Sequence, residues 1–359
     1  MRVSVLYPLM PTDPESLVPF AALVRDGGAA RLWQGQSLSA DTQQVFAYLA
    51  GRGYRVPVGT SVVLMPLRHP MEAAIQSRSL ALLTGHPTVL GLGPATSDFV
   101  AGLHGKPYDS PRDTCLADLQ EVRRLLGPED DDGAVRLPAL SHPGVETGLG
   151  VLRPALARAA GQVADAAISW MTPHGYVQDT LLPAMAKGAA EAGRPVPRVV
   201  TVVHAAVNRP HRNPYRLAYT AAHAHLAGPH YSDMLRRAGL RVHHSRPNLG
   251  ARALVDAGVF LHGTPQEIAT GLAEYGRAGV DEVVVNVAGV YSDHGREDAV
   301  RDLRDILTAC RKRRTDTRSG AATRADRRAT LCRTQGGEAP RCPTTSPAGS
   351  PSTPAPWTR

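Results

Sequence analysis

The chain has 359 residues, enough for one α/β barrel or for two ordinary domains. It holds no apolar run of about 18 residues that could cross a bilayer. Its first residues reach prolines too early for a secretory signal, and its four cysteines show no CxxC spacing. These features exclude a membrane-spanning class and a disulfide-stapled secreted class. They predict a cytoplasmic protein with no membrane partner and no metal site.

The formal net charge of +8 lies in the last segment of the chain. From residue 311 onward eleven Arg and Lys stand against three acids, so residues 1–310 are neutral overall. We therefore expect no nucleic-acid-binding face on the folded body. Residues 313–359 are rich in Arg, Thr, Ser and Pro and poor in apolar residues, which predicts a disordered basic tail. Residues 1–312 then form the folded domain.

Eight runs rich in β-branched and small residues alternate with helical stretches. The clearest unit begins with VPVGTSVVLMP, typical of a strand covered on both faces. The proline of RHP suits the first turn of a helix, MEAAIQSRSLALLTG is that helix with Gly85 as its end, and TVLGLG is the next strand. The predicted strands are 3–7, 30–34, 56–66, 88–93, 144–149, 166–170, 198–207 and 282–287.

Helices are predicted between these strands, and three stretches interrupt the pattern. Residues 94–110 predict a loop and the acidic residues 127–133 a solvated surface loop. Residues 208–247 predict an insertion after strand seven, with helical pieces around 215–225 and 231–238. The remaining helices are predicted at about 14–25, 41–50, 71–85, 113–126, 155–163, 176–192, 251–257, 264–279 and 297–310.

Eight strand–helix repeats in a chain of this size favour the α/β class, as a TIM-type (β/α)8 barrel. The main alternative is an open Rossmann-like sheet, which would carry GxGxxG straight after its first strand. Here the first strand ends in YPLMP, with two prolines and no glycine. The sequence therefore predicts a TIM-type (β/α)8 barrel with an insertion after strand seven and a disordered C-terminal tail.

In such a barrel the active site lies at the carboxyl ends of the strands. Those ends hold few carboxylates, and the chain contains no GxSxG and no HExxH, so a bound cofactor is expected to supply the chemistry. Gly91 and Gly93 could let the backbone approach a flat ring or a phosphate. Gly148 and Gly150, just before a helix, could present N–H groups to a phosphate. Simple turn geometry is the alternative for each of these glycines.

Histidines and tryptophans near the strand ends are the other candidates. His174 and His204 are candidates for touching substrate or cofactor, whereas His69, directly before Pro70, is expected to be structural. Most of the other histidines are expected to be surface or packing residues, because their spacings do not resemble a metal pair. Trp33 and Trp170 could stack on a flat ring of the substrate or cofactor, or belong to the core.

Several motifs of residues 2–310 resemble the bacterial luciferase-like flavin and deazaflavin oxidoreductases. The most specific are VGTSVVLMPLRHPMEAAIQSRSLALLTGHPTVLGLG and GTPQEIATGLAEYGRAGVDEVVVN; RVSVLYPLMP and GLGVLRPALARAAGQVADAAISW are also similar. Members of this family bind reduced flavin mononucleotide (FMN) or the deazaflavin coenzyme F420 across the barrel mouth. By position, the resemblance implies cofactor contacts from Gln36, Ser37, Leu64, Met65, Pro66, Gly91, Gly93, Pro94, Gly148, Gly150, Val151 and Leu152.

Two departures from the family bear on its chemistry. Deazaflavin-dependent members often carry an acidic or histidine residue just after strand two, where this chain has Gly35, Gln36 and Ser37. The usual acid or base is then missing or supplied from elsewhere, with His204 and His174 as candidates. After strand four the family often shows Glu or Asn, and here the sequence is Pro-Ala-Thr-Ser.

The resemblance implies a coenzyme F420-dependent oxidoreductase that passes hydride between the reduced deazaflavin and an organic substrate. The chain is also similar to luciferase-like reductases that reduce dehydroalanine in ribosomal peptides, which would make it a lanthipeptide-tailoring enzyme of natural product biosynthesis. The alternatives are an FMN-dependent monooxygenase that uses oxygen and a non-catalytic flavin-binding barrel. The expected partner is a small-molecule or peptide substrate, and a homodimer is left open.

Overall fold

A computed structural model describes residues 1–127 and 135–334. Most of the acidic loop predicted at 127–133 and the last part of the predicted tail lie outside these residues. The chain divides after Arg313, one residue beyond the predicted boundary. Residues 1–313 hold every strand that the structure describes. Within the described ranges, no helix combines the length and the apolar character that a membrane span needs.

Eight parallel strands close into a barrel, which confirms the predicted TIM-type fold. Neighbouring strands pair in chain order, and the last barrel strand pairs with both the first strand and the seventh. Two short additional strands, β4 and β9, pair alongside the ring. The strands are β1 Arg2–Leu6, β2 Leu32–Gln34, β3 Val58–Thr60, β4 Val63–Leu64, β5 Thr88–Gly93, β6 Val145–Gly150, β7 Ala166–Trp170, β8 Arg198–Val207, β9 Leu261–Gly263 and β10 Glu282–Asn286.

Helices cover the outside of the barrel and form the insertion. They are α1 Val18–Arg25, α2 Thr42–Gly51, α3 Pro70–Thr84, α4 Ser97–His104, α5 Pro111–Leu126, α6 Pro154–Val163, α7 His174–Tyr176, α8 Leu182–Glu191, α9 Pro214–Leu226, α10 Pro229–Arg237, α11 Pro247–Asp256, α12 Pro265–Arg277 and α13 Ala288–Thr334. Short 3₁₀ turns lie at Pro14–Leu17 and Met65–Leu67, and one π-helical turn at Val177–Leu181.

The structure differs from the sequence-based elements in three places. Residues 94–110 are not all loop, because Thr96 caps α4 by accepting from the Phe99 amide and Gly105 ends the helix at a φ of 79°. The predicted strand 56–66 divides into β3 and β4. The last helix begins well before residue 297, with a break at Gly295, where φ is 84°.

The C-terminal segment was predicted to be disordered, yet its backbone is helical as far as Thr334. Ala and Arg are abundant there and are good helix formers, a preference that the composition argument did not weigh. Residues 335–359 lie outside the described part of the chain. Disorder of residues 335–359 therefore stays a prediction.

Side chains alternate along each strand, and the inward set fills the barrel. These residues form one apolar cluster, separate from the larger core between strands and helices. Val62 and Trp170 pack against this cluster from the strand ends. The interior residues are Leu6, Trp33, Val89, Ala166, Ile168, Val200, Val202 and Val284.

The insertion is fixed at its base by a buried ion-pair network. Asp302 of α13, with no exposed surface, accepts from Arg212 Nη1 at 2.6 Å and from the Val207 amide at 2.9 Å. Arg212 also donates to the Val207 carbonyl at 3.0 Å and to Asp298 at 2.9 Å. Arg209 donates to Asp302 Oδ1 at 2.9 Å. Breaking such a pair leaves an uncompensated buried charge, so the network positions α9 firmly at the end of β8.

Candidate active site at the barrel mouth

Strand alternation places Trp170 and His204 on the inner face at the carboxyl ends of β7 and β8. Ala166 and Ile168 face inward on β7, so Trp170 continues that row; Val200 and Val202 do the same for His204. The two rings meet edge to face, with centroids 5.9 Å apart. Two candidates that lie 34 positions apart in the sequence are thus brought together at the mouth.

Helix α9 of the insertion adds a third ring, which the sequence analysis did not single out. His225 stacks on the Trp170 indole with centroids 5.3 Å apart and an interplanar angle of 23°. The Tyr231 ring of α10 meets His225 edge-on at 5.0 Å. We call Trp170, His204, His225 and Tyr231 the rim cluster. A second contact, Arg153 to Asp233 at 3.6 Å, joins α10 to the start of α6, so the insertion borders the mouth from β6 to β8.

The rim cluster contains buried polar atoms that have no hydrogen-bond partner. They are Trp170 Nε1, His225 Nδ1 and both ring nitrogens of His204, which is only 2% exposed. The great majority of buried polar groups in folded proteins are paired, and an unpaired one costs on the order of 1–3 kcal/mol. Four such atoms in one cluster make this end of the barrel the candidate position for a polar ligand or an ordered water.

Burial keeps both histidines of the rim cluster neutral. Desolvation lowers the pKa of His204 to about 3, with a smaller contribution from His225. Desolvation also lowers the pKa of His225 to about 4, helped by His230 and His223. A neutral imidazole offers one N–H donor and one acceptor nitrogen. At neutral pH, His204 can therefore donate or accept a hydrogen bond, but it does not carry the extra proton that a general acid releases.

Trp33 does not lie at the mouth, so its assignment to the substrate is corrected. The indole has no exposed surface, and its Nε1 donates to Glu282 Oε1 at 2.7 Å, at the amino end of β10. The ring lies over Gly59, where a Cβ atom would be 2.7 Å from the indole. Trp33 is therefore part of the barrel interior.

His174 is likewise not brought to the rim cluster. It is exposed at the start of α7, and its ring meets Tyr275 of α12 edge-on at 5.6 Å. Its assignment as a catalytic residue is not supported by this placement. His69, in contrast, is structural as predicted, because its Nδ1 accepts from the Met71 amide at 3.2 Å and caps α3.

The strand-end glycines serve the packing of the barrel itself. A Cβ on Gly91 would lie 2.0 Å from the Thr60 carbonyl oxygen, and one on Gly148 would lie 2.8 Å from Ile168 Cδ1. Gly93 and Gly150 make room for Val62, whose methyl carbons would lie 2.6 Å and 3.4 Å from their Cβ positions. These glycines therefore allow neighbouring strands and side chains of the protein itself to pack closely.

The predicted phosphate contact from the Gly148 and Gly150 amides is also revised. Gly148 pairs with both neighbouring strands, and Val151 N donates to the Ile168 carbonyl at 2.8 Å. The backbone of this stretch therefore belongs to the sheet. Leu152, at the start of the turn into α6, is the first predicted cofactor-contact residue of this stretch that lies beyond the hydrogen bonds of the sheet.

On the opposite side of the mouth, Gln36 fixes the loop after β2. Its Oε1 accepts from the Leu64 amide at 3.1 Å and from Arg68 Nη1 at 3.0 Å, while Arg68 also pairs with Asp41. Ser37 Oγ accepts from the amides of residues 39 and 40 at 3.2 and 3.3 Å. These bonds hold the two side chains within the protein, which makes them positioning residues for the loop.

Leu64, Met65 and Pro66 form β4 and the 3₁₀ turn that follow the cis peptide Ser61–Val62. Pro94 follows β5 directly and is half-buried. Ser61 Oγ is a further buried atom without a partner. Among the residues that the structure describes, no group of three or more His, Cys, Asp or Glu side chains could hold a metal ion.

A family model described as luciferase-like monooxygenase matches residues 2–282, well over half of the chain. A provisionally named coenzyme F420-dependent oxidoreductase of Mycobacterium tuberculosis (strain ATCC 25618 / H37Rv) is 27% identical over 116 residues. That match covers 32% of this chain, and the chain spans about a third (33%) of the relative's length.

Solved structures share the fold over most of the chain. An F420-dependent secondary alcohol dehydrogenase in complex with an F420–acetone adduct has a TM-score of 0.65 at 14% identity, covering 86% of this chain and 98% of the other. A monooxygenase from Streptomyces bottropensis has a TM-score of 0.62 at 18% identity, with the same coverage of 86% and 98%. Because the family match extends over the barrel that these structures share, the chain belongs to the luciferase-like monooxygenase family and is an oxidoreductase of its flavin- or deazaflavin-dependent class.

Proposed function

We propose that the protein is a coenzyme F420-dependent oxidoreductase that transfers hydride between the reduced deazaflavin and a small organic substrate at the barrel mouth. The observation that carries this proposal is the set of unpaired buried atoms on the inner face of β7 and β8. The name of the mycobacterial relative supports the deazaflavin over other redox groups.

The residues at the mouth fit a flat, uncharged ring system. Val62 lies against Gly93 and Gly150, so this part of the rim is apolar and narrow, while Ser61 Oγ and the rim cluster leave donors and acceptors without partners. A ring with polar atoms along its edge matches that combination. In this proposal Gln36 and Ser37 hold the loop beside the ring in place, and the glycines leave room for close packing. The residues proposed to surround the ring are Gln36, Ser37, Leu64, Met65, Pro66, Gly91, Gly93, Pro94, Gly148, Gly150, Val151 and Leu152.

The deazaflavin, when bound, supplies the hydride. The chain's part is to orient the substrate and exclude water. His204 would donate its ring N–H to a substrate oxygen, or accept a hydrogen bond at its second nitrogen, while staying neutral. Trp170 would offer its free Nε1–H and one flat face. The insertion, fixed through Arg212 and Asp302, holds its edge of the mouth in place.

An FMN-dependent monooxygenase is the second candidate, favoured by the fold shared with the Streptomyces enzyme. Membership of an oxidoreductase family speaks against a non-catalytic flavin-binding barrel. Reduction of dehydroalanine in a lanthipeptide, a homodimer and a cytoplasmic location stay predictions.

Titration of the purified full-length chain under anaerobic conditions tests the proposal. We expect saturable binding of reduced F420, measured by absorbance, and no rapid oxygen uptake when air is admitted. Tight binding of reduced FMN followed by rapid oxygen consumption would favour the monooxygenase. Binding of neither cofactor would refute the assignment of the mouth.

A further inference from the structure

Four elements contribute to the rim cluster, and each brings a ring that is polar but uncharged. Trp170 comes from β7, His204 from β8, His225 from α9 and Tyr231 from α10. The ring centroids of His204 and His225 lie 5.9 Å and 5.3 Å from that of the indole. Phe260 stacks on the other side of His204 at 6.5 Å and gives it an apolar backing. The result is a buried group of flat rings in which Trp170 Nε1, His225 Nδ1 and both His204 nitrogens have no hydrogen-bond partner.

Among the described residues, no formal charge is a cause of the pKa shifts of the titratable side chains in the rim cluster. Burial and other histidines lower the pKa values of His204 and His225, and burial raises the pKa of Tyr231. Arg153 acts instead on His230, beside Tyr231. On α10, Asp233 is shared by Arg237 at 2.9 Å, Arg236 at 3.7 Å and, from the start of α6, Arg153 at 3.6 Å. A charged ligand group at the rim cluster would therefore find no counter-ion among the groups that act on its rings.

We propose that the rim cluster binds an uncharged polar group of the amide or carbonyl class next to a flat part of the substrate, and that His225 is a specificity-determining residue for it. This inference rests on the proposed function only in taking the mouth as the substrate site. It adds a substrate class, and it assigns a residue of the insertion that lies outside the barrel strands.

The chemistry behind the preference is desolvation. An amide can accept from Trp170 Nε1 and exchange hydrogen bonds with the neutral imidazoles, so little is lost when it leaves water. A carboxylate or an amidinium of the same shape would lose its hydration without gaining a counter-charge, which costs far more. The stacked rings accept a planar group equally well in all three cases, so charge alone separates them.

Three planar probes of matched shape test this discrimination: benzamide, benzoate and benzamidinium. Binding to the full-length protein is measured by isothermal calorimetry at pH 7.5, with oxidised F420 present and absent. We expect benzamide to bind at least about tenfold more tightly than either charged probe. Equal or tighter binding of benzoate or benzamidinium, or no detectable binding of benzamide, would overturn the proposal.

A variant pair isolates the role of His225. His225→Phe keeps the stack on Trp170 but removes Nδ1, and should weaken benzamide binding about tenfold, the size of one lost hydrogen bond to a buried site. His223→Phe is the matched control, because His223 is exposed two positions earlier on the same helix and stacks on Tyr219. It should leave the affinity unchanged.

His225→Asn restores a hydrogen-bonding atom in a smaller side chain and should recover benzamide binding to within about threefold of the wild type. This variant keeps the test decisive if His225→Phe disturbs the fold. An unchanged affinity in His225→Phe, or no recovery in a folded His225→Asn, would refute the role of His225.

Cofactor binding, followed separately by absorbance, distinguishes the two proposals. If F420 binds and the three probes are not discriminated, the substrate class is wrong and the proposed function stands. If benzamide is preferred but F420 does not bind, the recognition surface stands and the cofactor assignment fails.

Discussion

The two tryptophans of the barrel have opposite environments at opposite ends of the same interior. Trp33 donates to Glu282 at 2.7 Å, and the same carboxylate accepts from Ser4 Oγ at 2.7 Å and from Arg198 at 3.1 Å. Trp170, at the carboxyl ends of the strands, leaves its Nε1 without a partner beside the unpaired nitrogens of His204. The amino end, which we call the sealed end, is organised by the hydrogen bonds to Glu282, although Arg31 Nε and Arg198 Nη2 have no hydrogen-bond partner there. At the carboxyl end, the indole N–H of Trp170 and both ring nitrogens of His204 make no hydrogen bond.

This difference distinguishes buried polar groups that stabilise the fold from buried polar groups that bind a ligand. A buried polar group that is fully paired contributes to the stability and specificity of the fold, and its removal is expected to cost free energy of unfolding. A buried ring without any hydrogen-bond partner in the protein costs free energy unless a ligand or a water pairs with it, which is our reason for assigning His204 to the binding site. The comparison leads to predictions in which the two ends respond to different assays.

The largest effect is expected at the sealed end. Glu282→Ala should lower the free energy of unfolding by about 3–5 kcal/mol, because Arg198, Ser4 and the Trp33 indole lose their shared acceptor and Arg31, 3.9 Å away, loses its counter-charge. The measurement is urea denaturation followed by circular dichroism. Glu274→Ala, which removes only the exposed ion pair with Arg277, should leave the free energy of unfolding almost unchanged. Similar losses in both variants would show that the amino end is not a structural seal.

A smaller effect comes from exchanging each indole for a phenyl ring. Trp33→Phe should lower the free energy of unfolding by about 1–3 kcal/mol, since it removes a buried hydrogen bond and leaves space over Gly59. Trp170→Phe removes a donor that has no partner, so its stability should change by less than about 1 kcal/mol, while benzamide binding weakens. A Trp170 variant that is as unstable as the Trp33 variant would contradict the distinction between the two ends.

The sequence predicted the barrel well because buried parallel strands form continuous apolar runs, and the eight runs match the eight ring strands. It could not separate Trp33 from Trp170, since Trp33 is the last but one residue of a predicted short strand and Trp170 is the last residue of another. The two differ in their position along the barrel axis. The Trp33 ring lies inside the barrel in the space over Gly59, whereas the Trp170 ring lies at the mouth against His225, 55 residues further along the chain.

His204 was predicted as a site residue and the structure places it at the mouth, whereas His225 was read as a surface or packing residue. Its spacing from His223 shows only that the two point to different sides of a helix. A helical pattern was available, because His225 falls three positions after Ala222 and seven after Ala218, both on the buried face of α9. The sequence alone does not show that this face meets Trp170, since that contact depends on how the insertion folds back.

The smallest effect is a pH dependence to which the two rim histidines contribute, together with His230 and His262, whose pKa values burial also lowers. His204 and His225 stay neutral in the folded chain, with pKa values near 3 and 4, but titrate near 6.5 when unfolded. Below pH 6.5 the unfolded chain therefore binds more protons, so this stability is fully present above pH 6.5 and is lost as the pH falls towards 4. Between pH 7 and pH 6 the loss is about 0.7 kcal/mol for each histidine.

His204→Phe should remove its share of this slope, while His223→Phe, on the exposed side of α9, should leave the rim contribution in place. Urea midpoints of the three proteins at pH 7, 6.5 and 6 provide the measurement. If His204→Phe keeps the full pH slope of the wild type, the imidazole is not held neutral in the folded protein. The rim would then have to accommodate a charged histidine, and the preference for an uncharged substrate group would lose its physical basis.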